Sequence, residues 1–235
     1  MIVLFNITFE KNIKMEFEKK PLNKVIRGSK RANYDKNTVY SIVDSHVLCH
    51  VAYLYESCPI TIPTGYGRKG DTIYLHGSLK NRMIASLKDA EKLSITITHL
   101  DGFVLARSVF HHSVNYRSAI LFGKPRLVDE PEEKMEALKL ITENFNPGRW
   151  SEARHPNQKE FDGTLVIAVD IEDASAKIRD VGVNDEVEDL QLPIWAGVVP
   201  LSVIAGEPLP EKDLLDGVET PDSVSRIVGK EMFID

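Results

Sequence analysis

The chain has 235 residues, a formal net charge of -6 and 43% hydrophobic residues, which predicts a soluble globular protein with a sizeable core. The acidic balance argues against a general nucleic-acid binder, because such proteins usually present a basic face. No apolar run approaches the roughly 18 residues that span a bilayer, so no membrane partner is expected. The two cysteines, Cys49 and Cys58, give no disulfide framework and predict a cytoplasmic protein, although a bond between them stays open.

The sequence divides into an N-terminal arm (residues 1–34), a central domain (35–202) and a C-terminal tail (203–235). In chain order, periodicity and turn residues predict a helix at 35–45, strands at 46–55 and 59–64, a turn at 65–70, a strand at 71–77, a helix from Ser78, a strand at 92–98, a turn at 99–102, strands at 103–110 and 116–128, helices at 131–145 and 151–159, and a strand at 165–178. Short strands with regular turns and few helices indicate a mainly β, α+β fold, a β-barrel with helices attached.

The segment 71–84 is the strongest candidate site, because a predicted strand runs directly into a predicted helix. Ser78 is a good N-cap residue, and Lys80 and Arg82 follow in the first turn, where the helix dipole disfavours cations. A bound phosphate would remove that conflict, since it would meet free N–H groups, the serine hydroxyl and both cations. An ordinary solvated first turn with two incidental cations is the alternative.

Several common functional motifs are absent. The sequence has no dinucleotide-binding Gly-x-Gly-x-x-Gly, no P-loop and no Gly-x-Ser-x-Gly nucleophile elbow. His46 and His50 are four residues apart, but on a strand this spacing separates them by about 13 Å, so no metal site is expected. The polar block 111–118 joins two predicted strands, where binding groups concentrate. His111 and His112 are candidate proton donors there, on the titration range of histidine alone.

Four segments carry a family resemblance: Ile62–Thr64, Ile73–Ser78, Asn115–Gly123 and Pro193–Gly197. Through them, residues 38–201 resemble the pyridoxamine 5'-phosphate oxidase-like flavoproteins, and among these the branch related to nitroimidazole reductases and small flavin-nucleotide-binding proteins. The resemblance implies a split β-barrel that binds FMN at the interface of a homodimer and acts on a small-molecule substrate.

The resemblance also implies which residues hold FMN. They fall into four groups, which would contact the ring, the phosphate, the ribityl chain and the outer flavin face. The groups are Ile62, Pro63 and Thr64 along the isoalloxazine, through backbone groups; His76, Ser78, Lys80 and Arg82 around the phosphate; Tyr116, Arg117 and Ser118 on a neighbouring strand, near the ring or ribityl chain; and Trp195, from the partner subunit, as a cover. Core or interface packing is the alternative role for Trp195, and the commoner one for a tryptophan.

One departure from the family pattern concerns the substrate. The oxidases hold the substrate phosphate with an Arg-x-His pair near the C-terminus, whereas here Arg226 is the only arginine after Trp195 and no such pair follows. The sequence therefore predicts an FMN-dependent oxidoreductase for a small planar acceptor, such as a quinone or nitroaromatic compound, and not a vitamin B6 oxidase. The alternatives are a flavin- or haem-binding carrier or sensor without turnover, and a structural dimer whose cofactor site has decayed.

Overall fold

The computed structural model describes residues 15–234, so the first part of the predicted arm lies outside the described residues. The strands are β1 (Ala32–Asn33), β2 (Leu48–Tyr55), β3 (Cys58–Lys69), β4 (Thr72–Ser78), β5 (Leu93–Leu105), β6 (Ser113–Leu127), β7 (Thr164–Arg179), β8 (Gly197–Pro200), β9 (Val203–Ile204) and β10 (Glu231–Met232). The helices are α1 (Lys36–Asp44), α2 (Arg82–Leu87), α3 (Pro131–Phe145), α4 (Arg149–Glu152), α5 (Gln158–Asp162) and α6 (Asp222–Ser225).

The long strands close into an antiparallel barrel. Around it they run in the order β7, β4, β3, β2, β5 and β6, and pairing between β6 and β7 completes the circle. Inward-facing apolar side chains on every strand fill the interior; they include Val51, Ile73, Leu75, Ile95 and Leu121, each at most 1% exposed. The predicted α+β fold, a barrel with helices attached, is confirmed.

Helix α3 packs across the outer face of β3 and β4. Two glycines on β3 allow the close approach: a Cβ at Gly67 would lie 2.8 Å from the backbone nitrogen of Ile141, and one at Gly65 would lie 2.3 Å from the ring of Phe145. The helix thereby buries Tyr74 on the outer side of β4 in a second, smaller apolar cluster. β4 is therefore covered on both faces, by the barrel core on one and by α3 on the other. A cavity described below lies on the α3 side.

Several predicted boundaries are wrong. β3 continues to Lys69 and β5 to Leu105, so residues 65–70 and 99–102 are largely strand where turns were expected. The Asp-Gly pair inside β5 instead marks a β-bulge, because the register to β6 shifts between Leu100 and Gly102. The single helix predicted at 151–159 is two short helices, α4 and α5, with Pro156 in the segment between them.

The helix predicted to start at Ser78 starts later. β4 continues through Ser78, which pairs with Thr164 of β7. The N-cap of α2 is Asn81, whose side chain accepts a hydrogen bond from the Ile84 N–H at 3.3 Å. Ser78 as the cap is therefore wrong, and so is the placement of two cations in the first turn, because only Arg82 lies inside the helix.

The segments outside the predicted central domain pack on the barrel. In the arm, Phe17 and Asn23 are buried, and the Asn23 amide donates to the carbonyl of Ala174 at 3.0 Å. In the tail, the ring of Phe233 stacks on His46 with centroids 4.6 Å apart. The three-part division of the chain stays a prediction.

Two further sequence expectations can be compared with the fold. Cys49 is buried, Cys58 is exposed and both are free thiols, so the bond left open by the sequence does not form. Within residues 15–234, no helix is both long enough and apolar enough to cross a membrane.

Candidate functional site

A split in the barrel wall lies between β3 and β4. In the described part of the chain, pairing between these strands is confined to four residue pairs, from Tyr66 opposite Leu75 to Lys69 opposite Thr72. Continuing that register would set Thr64 against Gly77, but the strands have diverged by then. The first half of β3 pairs with β2 alone and leaves its other edge without a strand partner. Backbone groups on such an edge are available to a ligand.

The β3 side of the split carries the first group of predicted site residues. Ile62 packs against the barrel core, while Pro63 is exposed on the outer face and Thr64 is partly buried. Pro63 has no N–H, so its backbone can only accept a hydrogen bond. These three residues can therefore make the predicted backbone contacts to a ring, but they offer two N–H donors and not three.

The other side of the split is formed by the end of β4 and the start of α2. Ser78, Lys80 and Arg82 are exposed there. The Arg82 guanidinium lies 4.8 Å from the centroid of the Tyr55 ring, at the end of β2. Among the described residues, neither Lys80 nor Arg82 forms an ion pair with a carboxylate. Two cations without ion-pair partners beside an open strand edge can attract an anion, although the short helix adds nothing to this attraction.

His76 points away from these cations. It has the same strand parity as Tyr74, which packs under α3, and it lines a cavity of about 360 Å3 between β4 and helices α3 to α5. The Nδ1 atom of His76 is buried without a hydrogen-bond partner. Burial lowers the pKa of His76, because desolvation penalises the imidazolium. His76 thus lines a different cavity from the corner that holds Lys80 and Arg82, with which the family resemblance grouped it. That its side chain contacts the flavin phosphate stays a prediction.

The β6 residues of the predicted site lie on another part of the barrel. β6 neighbours β5 and β7, so these residues are not on a strand adjacent to β3 within one subunit, and their contact with a flavin stays a prediction. Tyr116 of β6 pairs with Leu100 of β5, and the Ser118 hydroxyl donates to the carbonyl of Lys177 at 3.3 Å. Arg117 donates to Asp101 at 3.1 to 3.3 Å and to the carbonyl of Phe233 at 3.1 Å. Arg117 thus holds the tail.

Trp195 lies on the loop before β8, which pairs with β5. Its ring folds back over Gly197, where an added Cβ would meet it at 3.0 Å, and the residue is 66% exposed. Simple core packing is therefore excluded for Trp195, while a role as a cover for a planar ligand stays a prediction. Trp195 therefore lies near β5, and β2 stands between β5 and the β3 side of the split.

Sequence reasoning missed two cavities. One, of about 360 Å3, lies where the tail meets the barrel and is lined by His46, His99, Arg117 and Phe233. The other is the cavity at His76, with Trp150 and His155 in its wall. Both depend on tertiary packing of helices or tail, and local periodicity carries no information on it. The described residues include no cluster of three or more His, Cys, Asp or Glu side chains that could hold a metal ion, and the candidate proton donors His111 and His112 lie outside both cavities.

Comparison with known proteins places this barrel. Residues 35–178 match the sequence family described as "Pyridoxamine 5'-phosphate oxidase", and this span is more than half of the chain. The chain belongs to this family. No match was found among curated protein sequences.

Solved structures of family-like barrels support the assignment. The flavocytochrome Anf3 from Azotobacter vinelandii is 33% identical with a TM-score of 0.83, over 88% of this chain and 97% of that one. An FAD and haem binding protein from Mycobacterium smegmatis is 34% identical with a TM-score of 0.81, over 86% and 98%. A putative 5-nitroimidazole antibiotic resistance protein from Bacteroides thetaiotaomicron, 23% identical with a TM-score of 0.55 over 63% and 86%, shares the fold. The predicted family and split-barrel fold are confirmed.

Proposed function

We propose that this pyridoxamine 5'-phosphate oxidase family member is a redox protein that binds both a flavin nucleotide and haem. One observation carries the proposal: two proteins named for these cofactors, or as a flavocytochrome, are 33% and 34% identical to it over nearly their whole lengths. The likeness extends beyond the family segment 35–178. A flavin supplies two-electron chemistry and haem supplies one-electron chemistry, which together suit an oxidoreductase.

The split beside β3 is the proposed flavin site. Its open backbone edge can hydrogen-bond a planar ring through Ile62, Pro63 and Thr64. Its far corner holds Lys80 and Arg82, which have no carboxylate partner within residues 15–234. The backbone that would bind the ring and the cations that would bind the phosphate therefore border one opening. The residues present fit the group that the family implies.

A homodimer would complete this site. Tyr116 is separated from the split by β7 on one side and by β2 and β5 on the other, and Trp195 precedes β8, which pairs with β5, so one flavin could contact both sets of residues only if a second subunit supplied one of them. The outer face of these strands carries exposed side chains in register, with Pro63 opposite His50, and Ile120 is exposed opposite the partly buried Thr96. The Mycobacterium smegmatis relative, which matches over nearly its full length, is named for FAD and so favours FAD over the FMN expected from the sequence.

Identifying the cofactors tests the function. The natively purified chain should show a flavin absorption band and a Soret band, and mass spectrometry of the released cofactors should find FAD and haem. FMN in place of FAD would support the flavin site and correct the nucleotide. A colourless protein that takes up neither cofactor on reconstitution would contradict the function. Steady-state reduction of quinones and nitroaromatics by NAD(P)H then tests whether the protein turns over the small planar substrates expected from the sequence.

Arg82 should contribute more to flavin binding than Lys80. Arg82→Ala should weaken binding by about 1.5–3 kcal/mol, the usual contribution of a charge-assisted hydrogen bond. Lys80→Ala should cost less, since an ammonium is a more strongly hydrated point charge than a guanidinium. Fluorescence titration with the flavin measures both. Lys88→Ala, an exposed cation at the other end of α2, is the matched control. Parent-like binding by both site variants would place the phosphate elsewhere.

A further inference from the structure

The cavity at His76 is a separate chamber on the outer side of β4. Its wall is mostly apolar and comes from helices that follow β6: Leu138, Ile141, Phe145 and Trp150. Its volume of about 360 Å3 falls in the range of roughly 300–1,000 Å3 that small-molecule and cofactor pockets occupy. Lys80 and Arg82 do not line it. The chamber is therefore distinct from the phosphate corner of the proposed flavin site.

His76 is the one chamber residue with an unexplained buried polar atom among those the structure describes. Its Nδ1 is buried and has no hydrogen-bond partner, a costly arrangement that a native protein rarely keeps without a purpose. The backbone around it is rigid, because His76 pairs with Val166 inside a long antiparallel ladder. A site on a strand holds its ligand-binding atom more firmly than a site on a loop.

We propose that this chamber receives haem and that His76 is an axial ligand of the haem iron. An imidazole is the commonest protein ligand to haem iron, and an apolar wall of Leu138, Ile141, Phe145 and Trp150 suits the porphyrin plane. The proposal rests on the haem half of the proposed function. It assigns His76 to the haem and leaves the flavin phosphate to the exposed corner at Arg82.

His155 is the second histidine of the chamber and the natural competitor. It is exposed, on the loop between α4 and α5, and its ring stacks on Trp150 with centroids 4.6 Å apart. Nearby, Arg154 donates to Glu160 at 2.7 and 2.9 Å, so this cation is already compensated. Arg154 is the one lysine or arginine among the described residues that line the chamber, so ligation with apolar contact must provide most of the affinity. His76 is half-buried on a rigid strand, which is the position that this requires.

Titration of the two chamber histidine variants with haemin tests the assignment. Replacing even an outer-shell partner of a metal ligand costs roughly 10–100-fold in affinity, so His76→Ala should weaken haemin binding by about 100-fold or more. His155→Ala should bind like the parent, and the flavin absorption band should keep its intensity in both variants. Added imidazole should restore the Soret band of His76→Ala. His76→Met should bind haemin with shifted visible bands, because the ligand atom changes from nitrogen to sulfur.

The outcomes separate this inference from the function that supports it. A parent protein that holds flavin but takes up no haemin contradicts the haem half of the function. A parent that binds haemin while His76→Ala keeps its affinity and spectrum overturns the axial assignment alone. Loss of haemin binding in His155→Ala only, or loss of flavin only in His76→Ala, would overturn it as well. If His76→Ala does not fold, His76→Met decides, since parent-like bands in that variant would exclude His76 as the ligand.

Discussion

At the scale of single residues, His46 packs against the C-terminal tail and makes the stability of the fold depend on pH. Its Nδ1 accepts hydrogen bonds from the N–H groups of Val47 and Leu48 at 2.9 and 3.0 Å, and its ring stacks on Phe233. Burial, followed by the nearby charge of His99, lowers the pKa of His46 to about 4. The acceptor role of Nδ1 and the low pKa agree, because protonation of that nitrogen would break both hydrogen bonds.

This depressed pKa predicts a loss of stability in acid. An unfolded histidine titrates near 6.5, so the unfolded state takes up a proton first as the pH falls. The contribution of His46 is complete above that value and is lost as the pH falls toward 4. Allowing for the partial exposure of the ring, the free energy of unfolding should drop by about 1–2 kcal/mol over this window. Urea denaturation at several pH values measures it.

His46→Asn is the matched variant for this effect. The asparagine Oδ1 can accept the same backbone hydrogen bonds as Nδ1, but the side chain does not titrate. The parent should therefore lose more stability than the variant between neutral pH and pH 4. Equal pH slopes in the two proteins would show that His46 does not cause the loss.

At the scale of elements, the start of α2 shows where local sequence stops being informative. Ser78 and Asn81 are both good N-cap residues, three positions apart. The choice between them is made by β7, which pairs with β4 as far as Ser78 and keeps that residue in the sheet. Because β7 lies more than eighty residues further along the chain, the sequence around Ser78 gives no sign of this pairing. By contrast, Asp35 at α1 and Pro131 at α3 were predicted correctly, because the caps and periodicity of those helices are local.

The cap of α2 can be identified by mutation. Asn81→Ala should lower the free energy of unfolding by about 1 kcal/mol, since the Ile84 N–H loses its acceptor. Ser78→Ala should change it by less than about 0.5 kcal/mol, because the exposed hydroxyl caps nothing. Chemical denaturation of the parent and the two variants provides the comparison. A larger loss from Ser78→Ala than from Asn81→Ala would restore the cap that the sequence indicated.

At the scale of the whole molecule, the assembly should be a twofold dimer. A flavin that contacts the split of one subunit and Trp195 of the other requires an isologous interface, which creates two equivalent sites. Light scattering should therefore give about twice the chain mass of 26.4 kDa. A monomer that retains one flavin per chain would contradict the shared site.

The sequence revealed the family and the fold of this molecule more fully than its sites. Motifs such as Ile73–Ser78 are continuous in the chain, so their resemblance can be recognised without a structure. The chamber at His76 is assembled from β4 and from helices that begin more than fifty residues later. Neither helix spacing nor strand alternation predicts that these segments meet.

The unpaired edge of β3 affects how readily the protein aggregates before its cofactor binds. An exposed strand edge is a template for pairing with another chain, and proteins usually blunt such edges with proline, charge or a cover. Here Pro59 and Pro63 remove two N–H donors from the open half of β3, but the rest of that edge is bare. A ligand seated along it would act as the missing neighbour. Cofactor supply would then govern aggregation of the newly made chain as much as its chemistry.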